Sequence, residues 1–92
     1  MGNSIICKPS EFASATAWML CSVMKEAGLP DGVCNMVFGL GSVVGKALTV
    51  HPDIPAISFT GGTVTAQHII KDSAPYSKKL YLELGGKIFF SG

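Results

Sequence analysis

The chain has 92 residues, which makes it at most one domain, near the lower size limit for a self-sufficient hydrophobic core. Apolar residues make up 48% and charged residues only 14%, below the roughly 25% usual for soluble domains, which indicates faces that other protein covers. Seven basic residues against six acidic ones, with no basic block longer than Lys78-Lys79, argue against a nucleic-acid partner, and the apolar runs are too short to span a membrane.

The three cysteines, Cys7, Cys21 and Cys34, are an odd number at wide spacings and contain no CxxC pair. Neither a disulfide framework nor a zinc site is supported, and we expect no metal. Each cysteine stands among apolar neighbours, so we predict small core residues of a reducing compartment. Residues 1–6 lack the features of a signal peptide, and the predicted location is therefore cytoplasmic.

Strand and helix patterns alternate along the chain. Apolar runs predict strands at residues 4–7, 33–38, 56–59 and 79–84. Helical spacing predicts helices at residues 10–27, from 42 to about 51, and at 63–72. Gly28 and Pro30 can end the first helix, Thr60-Gly61-Gly62 breaks the third strand, and Gly85-Gly86 ends the fourth.

The resulting β-α-β-α-β-α-β order has connections long enough for parallel crossovers. We therefore predict a segment of a doubly wound parallel, Rossmann-like sheet. The first and third strands are continuous apolar runs, which predicts burial on both faces. No linker or repeat interrupts residues 1–92, so they are interpreted as a single, incomplete domain.

Lys8 and Glu11 follow the first predicted strand, at the edge where open α/β sheets bind ligands. A lysine there can donate to ribose hydroxyls or phosphate, and a carboxylate can accept from a ribose diol. The alternative, which we favour for these residues alone, is that Glu11 complements the N-terminus of the following helix.

Two glycine turns follow the second and third strands. The first, Gly39-x-Gly41-x-x-x-Gly45, has the spacing that lets backbone approach a nucleotide, but the acidic residue expected about 20 positions later is missing. The second, Phe59-Thr60-Gly61-Gly62, leads directly into a helix whose free N–H groups suit a pyrophosphate. Ordinary strand-to-helix turns also use glycine, so neither turn decides the matter.

Glu83 stands inside the apolar run of the fourth strand. A buried carboxylate is costly unless it is paired or functional, and it holds a proton more tightly, which suits a general base. The alternative is a salt bridge to a nearby lysine. Gly85-Gly86 would keep room for substrate or cofactor beside the carboxylate.

The order of these motifs resembles that of the aldehyde dehydrogenase superfamily. Leu82-Glu83-Leu84-Gly85-Gly86-Lys87 is highly specific to it, and the similarity runs from about residue 2 to residue 87. Residues 16–21 and 73–75 look most like the branch that oxidises 2-aminomuconic semialdehyde. The resemblance implies an NAD-dependent oxidoreductase that, at full length, converts a small-molecule aldehyde into a carboxylic acid with NAD as cofactor.

The resemblance also implies roles for individual positions. Lys8 and Glu11 match residues that hold the adenosine ribose, and a carboxylate there would repel the 2′-phosphate of NADP. Glu83 matches the catalytic general base that activates water against a thioester intermediate. The other implied cofactor-binding positions are Gly41 and Ser42 at the adenine pocket, Thr60, Gly61 and Gly62 at the pyrophosphate, and Leu84 and Gly85 beside the nicotinamide.

The chain departs from the family pattern at three places. Gly62 stands where a serine is usual, Ser42 where a proline is frequent, and residues 88–92 replace the usual Asn/Ser-Pro continuation. The divergent end suggests an alternative terminus, a frame change or a truncated product.

The family's nucleophilic cysteine follows Lys87 by some tens of residues, so none of the three cysteines matches it. We expect a cofactor-domain fragment that is inactive by itself. The alternative is a non-catalytic nucleotide-binding or interaction module that forms homo-oligomers or associates with full-length subunits.

Overall fold

The structure is a computed structural model that describes residues 2–85 in full and, for the strand Lys87–Ser91, the backbone. The chain divides into two compact units, Met1–Gly45 and Lys46–Gly92. Each unit has its own small sheet and its own long helix. Among the residues that the structure describes, no helix is long and apolar enough to cross a membrane.

The first unit is a β-α-β crossover. Strand β1 (Ile5–Cys7) pairs in parallel with β2 (Cys34–Met36), and helix α1 (Ser14–Glu26) connects them. A 3₁₀ turn, Glu11–Ala13, leads into α1 without a break. The predicted helix therefore forms, but its first turn is wound more tightly than an α-helix.

Side-chain and backbone contacts fix both ends of this helix. The Ser10 hydroxyl accepts a hydrogen bond from the Phe12 N–H at 3.3 Å, which satisfies a donor that the first turn leaves open. At the other end Gly28 takes a φ of +94°, and the Leu29 N–H donates to the Met24 carbonyl at 3.1 Å. Glycine adopts this left-handed conformation without a Cβ penalty, so the helix ends where the sequence predicts.

Helix α1 covers only one face of this two-stranded sheet. Cys34 and Met36 are partly buried, whereas Ile5 is 52% and Ile6 49% exposed. The prediction that the first strand is buried on both faces is therefore wrong for this chain, because Ile5 and Ile6 lie on opposite faces of the strand and each is about half exposed. The three cysteines are likewise only partly buried rather than core residues.

The predicted helix from residue 42 to about 51 is shorter and partly irregular. A π-helical turn, Gly41–Gly45, precedes a single α-helical turn, α2 (Lys46–Thr49). The Val44 N–H donates to the Leu40 carbonyl at 2.8 Å, so the helical turn begins directly at the glycine-rich segment Gly39-Leu40-Gly41. Glycines in the turn leave the backbone free to depart from regular α-helix.

The second unit contains β3 (Ala56–Gly61), α3 (Thr63–Ser73), a 3₁₀ turn (Ala74–Tyr76), β4 (Lys79–Leu84) and β5 (Lys87–Ser91). Strands β3 and β4 are parallel. Strand β5 pairs antiparallel with β4, with Leu84 opposite Lys87. The predicted α/β class with parallel strands is confirmed, and β5 adds a hairpin that the sequence did not lead us to expect.

Alternation along β4 decides which side chains enter the core of this unit. Leu80, Leu82 and Leu84 are buried and form a cluster with Ala66 of α3. Ile57, Phe59 and Ile69 pack against that cluster. Burial of a leucine such as Leu82, which is 2% exposed, stabilises the fold by about 1.5–3 kcal/mol. The intervening residues of β4 face away from α3 and are exposed. The prediction that the third strand is buried on both faces is also wrong here, because β3 alternates in the same way.

Candidate functional site

In each unit the predicted site residues lie at or just beyond the carboxyl ends of parallel strands. Those of the first unit follow β1 and β2, and those of the second follow or close β3 and β4. This is the edge where open α/β sheets bind ligands. The first set is Lys8, Glu11, Gly41 and Ser42, and the second is Thr60, Gly61, Gly62, Glu83, Leu84 and Gly85.

Lys8 connects the end of β1 to the turn that follows β2. Its ammonium group donates to the carbonyl of Pro9 at 2.9 Å and to that of Gly39 at 3.4 Å. A lysine ammonium has three N–H donors, so one remains for a ligand. Glu11 is exposed in the first turn of the helical segment, as the favoured interpretation of that carboxylate predicted.

The glycines of the turn after β2 differ in how far the structure requires a residue without a side chain. Gly39 has a φ of +148°, and a Cβ placed there would collide with the Val44 side chain. A Cβ on Gly45 would lie 3.6 Å from Cε of Lys8, which is ordinary contact, and one on Gly41 would meet nothing within 4 Å. Gly41 and Ser42 are exposed at the start of the π-helical turn, so this part of the turn is open to a ligand.

The N-terminus of α3 begins directly after β3. Gly62 is its N-cap residue, and the Ala66 N–H donates to the Gly62 carbonyl at 3.1 Å as the first bond of the helix. Helix geometry leaves the N–H groups of the first turn without partners inside the helix. These free donors stabilise an anion at the N-terminus of the helix. A Cβ on Gly62 would meet nothing within 4 Å, so the serine usual at this position would fit.

Glu83 is not buried. It lies opposite Thr60 in the parallel pairing of β3 and β4, and both side chains are exposed on the face away from α3. The expectation of a desolvated carboxylate inside the strand is therefore wrong, because Leu82 and Leu84 occupy the buried positions of the alternating pattern. Glu83 and Thr60 thus come together on one face, whereas α3 covers the opposite face.

The two residues after Glu83 offer backbone rather than side chains. Leu84 is 9% exposed and its side chain belongs to the core cluster. Gly85 has a φ of +53° and begins the turn into β5, as suits a tight hairpin. Gly86 lies outside the described residues, and so does the side chain of Lys87.

Lys78 is a buried cation that the sequence did not single out. It is 5% exposed, and its ammonium donates to the carbonyls of His51 at 2.6 Å and Leu48 at 3.2 Å, at the C-terminal end of α2. A cation at this end of a helix is favourable, although burial lowers the pKa of Lys78. Its partners stand 27 and 30 residues earlier, so no local pattern could have revealed the contact.

The thiols of the first unit are close to one another. Cys7 and Cys34 lie diagonally on the same face of the β1–β2 pair, since Cys7 is opposite Met36 and Cys34 is opposite Ile5. Burial raises the pKa of Cys7, and the electrostatic effect of the neighbouring Cys34 thiol raises it further, with a smaller contribution from Cys21. Among the residues described, no cluster of three or more His, Cys, Asp and Glu side chains could hold a metal ion.

We expect Cys7 to react with iodoacetamide only at a higher pH than a cysteine in an unstructured peptide. The thiolate is the reactive form, and a raised pKa moves its formation to higher pH. The rate of Cys7 labelling, followed by peptide mass spectrometry between pH 7 and 10, checks this. A labelling midpoint at or below that of the peptide would contradict the burial of this thiol.

Comparison with known proteins identifies the group to which this chain is similar. The profile of the Aldehyde dehydrogenase family matches residues 1–90. The 2-aminomuconic semialdehyde dehydrogenase of Danio rerio is 59% identical over 86 residues, which cover 94% of this chain and 18% of that protein. The NADP/NAD-dependent aldehyde dehydrogenase PuuC of Escherichia coli strain K12 is 51% identical over 87 residues, with the same two coverages.

A solved structure gives the same result for the fold. PnpE from Pseudomonas sp. WBC-3, in complex with nicotinamide adenine dinucleotide, matches with a TM-score of 0.87 and 43% identity over 94% of this chain and 18% of that one. The chain thus spans about 18% of the length of the curated relatives it matches. The predicted resemblance to the aldehyde dehydrogenase superfamily is confirmed. The predicted resemblance to the 2-aminomuconic semialdehyde dehydrogenase branch is confirmed as well. Because the family profile covers almost the whole chain, the chain belongs to the aldehyde dehydrogenase family.

Proposed function

We propose that residues 1–92 are a single, incomplete NAD-binding domain of an NAD-dependent aldehyde dehydrogenase. The observation that carries the proposal is the open N-terminus of α3, where Gly62 leaves space and the first turn has free N–H donors directly beyond β3. In this proposal Thr60, Gly61 and Gly62 line the pyrophosphate site, and the free N–H groups of the first turn of α3 donate to the pyrophosphate. The cytoplasm remains the proposed location.

The adenosine side of the cofactor is assigned to the first unit. The third N–H of the Lys8 ammonium and the exposed carboxylate of Glu11 are chemically suited to ribose hydroxyls. The negative charge of Glu11 would repel a 2′-phosphate, which favours NAD over NADP. The open surface at Gly41 and Ser42 would accommodate the adenine. This donor set fits the cofactor without any buried charge.

Bound NAD supplies an acceptor for hydride. Glu83 is assigned as the general base, since its exposed carboxylate beside Thr60 can be reached by water. The backbone of Leu84 and Gly85 would lie beside the nicotinamide. The resemblance puts the nucleophile beyond Lys87, where this chain has no cysteine. We therefore propose that the 92-residue chain does not oxidise aldehydes, although a longer enzyme that contains this segment does so.

Isothermal titration calorimetry with NAD and NADP tests the cofactor assignment. We expect saturable but weak NAD binding, with a dissociation constant on the order of 1 mM, and weaker NADP binding. Glu11→Gln should weaken NAD binding roughly tenfold, because a charged hydrogen-bond acceptor is lost, and should reduce the preference for NAD.

Glu26→Gln, at the far end of the same helix, is the matched control and should leave both affinities unchanged. Equal losses in the two variants would contradict a ribose-binding role for Glu11. Formation of NADH from NAD and a panel of aldehydes by the purified chain would contradict its proposed inactivity.

The second candidate function is a non-catalytic interaction module. It is favoured by one observation: large apolar side chains, among them Phe12, Trp18 and Met19, are more than half exposed. Exposed apolar patches on a chain with little charge favour association with itself or with full-length subunits. Absence of NAD binding together with self-association would support this alternative over the first.

A further inference from the structure

Three sulfur-containing side chains share one face of the β1–β2 pair. Cys7 lies directly opposite Met36, and Cys34 stands two residues before Met36 on β2, opposite Ile5. Residues two apart on a strand, and residues in register on neighbouring parallel strands, present their side chains to the same face of the sheet. Cys7, Cys34 and Met36 are therefore neighbours on one face, and we call them the sulfur cluster.

Helix α1 covers this face without closing it off. All three members of the sulfur cluster are half-buried. A groove of about 390 Å³ between the helix and β2 leads to the cluster, and its lining contains four sulfur-bearing residues, Cys21, Met24, Cys34 and Met36. Lys25 and Asp31 also line the groove, and their opposite charges offset each other. The cluster is thus shielded from bulk water but open to a small ion.

The spacing of the two thiols suits a bridging ion better than a disulfide. Neighbouring strands lie about 4.8 Å apart and each residue advances a strand by about 3.3 Å, so the Cα atoms of Cys7 and Cys34 are roughly 8 Å apart on the diagonal. A disulfide needs Cα atoms within about 7 Å of each other. The thiols still interact, since the pKa of Cys7 is raised by burial and then by the neighbouring Cys34 thiol. Two thiolates here would repel each other, and a cation between them removes that repulsion.

We propose that the sulfur cluster binds one Cu(I) ion through the thiolates of Cys7 and Cys34 and the thioether of Met36. Thiolate and thioether sulfurs are the soft ligands that suit Cu(I). On binding, each thiol loses its proton to solvent, two copper–thiolate bonds and one copper–thioether bond form, and no electron is transferred. The copper thereby joins β1 to β2.

This site departs from the expectation of no metal, which rested on the spacing of cysteines along the chain. Strand pairing brings Cys7 and Cys34 together over a separation in sequence that no CxxC pattern spans, and the third ligand is a methionine. Zinc sites take most of their four ligands from Cys, His, Asp and Glu. In the part of the chain that the structure describes, no three such side chains form a metal-binding group, so two thiolates and a thioether favour Cu(I) over zinc.

Anaerobic titration of the complete 92-residue chain with Cu(I), in competition with the chelator bathocuproine disulfonate and without NAD, tests this proposal. We expect one Cu(I) per chain. Cys7→Ser and Cys34→Ser should each weaken binding at least about 100-fold, because even residues that only orient metal ligands contribute about 10- to 100-fold. Met36→Leu keeps the side-chain volume but removes the sulfur, and it should weaken binding about tenfold.

Cys21→Ser is the matched control for the two thiol variants. Cys21 lines the same groove but belongs to α1 rather than to the sulfur cluster. Met19→Leu, at an exposed position of the same helix, is the control for Met36→Leu. Both controls should leave the affinity for Cu(I) unchanged. Circular dichroism checks that each variant is folded.

X-ray absorption at the copper edge of the wild-type complex is a second measurement, which does not depend on the folding of any variant. Three sulfur neighbours without nitrogen or oxygen are the expected result. Nitrogen neighbours, or no Cu(I) taken from the chelator, would overturn the proposal. So would a loss of affinity in Cys21→Ser as large as the losses in Cys7→Ser and Cys34→Ser. NAD is absent from every measurement, so failure here is distinct from failure of the cofactor assignment.

Discussion

Replacement of Gly39 by alanine is expected to lower the free energy of unfolding by about 2–4 kcal/mol. Gly39 has a φ of +148°, a conformation that residues with a Cβ rarely adopt, and the added Cβ would collide with the Val44 side chain. The Gly39 carbonyl also accepts a hydrogen bond from the Lys8 ammonium at 3.4 Å. The substitution should therefore disturb the first unit and the proposed ribose contact together. Urea denaturation followed by circular dichroism measures the effect on stability.

Gly41→Ala is the matched control for this substitution. Gly41 belongs to the same glycine turn, but a Cβ there would meet nothing within 4 Å, and its φ lies outside the left-handed region. We expect its free energy of unfolding to stay within about 0.5 kcal/mol of the wild-type value. Similar losses in the two variants would show that the turn responds to any added methyl group rather than to the conformation of Gly39.

Replacement of Leu82 by alanine is expected to cost about 2–5 kcal/mol. Leu82 is 2% exposed in the middle of β4 and packs in the cluster formed with Ala66, Leu80 and Leu84. Removal of its side chain loses buried apolar surface and leaves a cavity between α3 and the sheet. The free energy of unfolding is measured from thermal and urea denaturation of the second unit.

Lys79→Ala is the corresponding control, since Lys79 lies on the same strand but on its exposed face. We expect a change of no more than about 0.5 kcal/mol. A loss for Lys79→Ala as large as that for Leu82→Ala would contradict the assignment of the two faces of β4. The assignment matters for function because it places Glu83 on the exposed face.

The sequence predicted most elements because hydrophobic spacing and glycine positions are local signals. It also contained the alternation of Leu80, Leu82 and Leu84 with polar neighbours, which indicates one buried face and an exposed Glu83. The prediction that Glu83 is buried inside the apolar fourth strand overlooked that period. The hairpin into β5 had a signal too, since Gly85-Gly86 is a favourable two-residue turn.

Other features could not be predicted because they depend on distant parts of the chain. Lys78 finds its carbonyl partners Leu48 and His51 only after the chain folds back on itself. The exposure of Ile5 and Ile6 depends on how many helices cover β1, which an apolar run does not reveal. The positions of the proposed cofactor residues were predictable, since each follows or ends a predicted strand. Their binding of NAD stays a prediction.

Titration with NAD followed by two-dimensional ¹H–¹⁵N NMR tests most directly whether this chain keeps its cofactor-binding residues. We expect saturable shifts of backbone amide signals confined to the proposed contacts. These are Lys8, Glu11, Gly41, Ser42, Thr60, Gly61, Gly62, Leu84 and Gly85. Absence of shifts at millimolar NAD, or shifts spread over the exposed face of α1 and the buried face of β4 instead, would contradict the proposed cofactor binding.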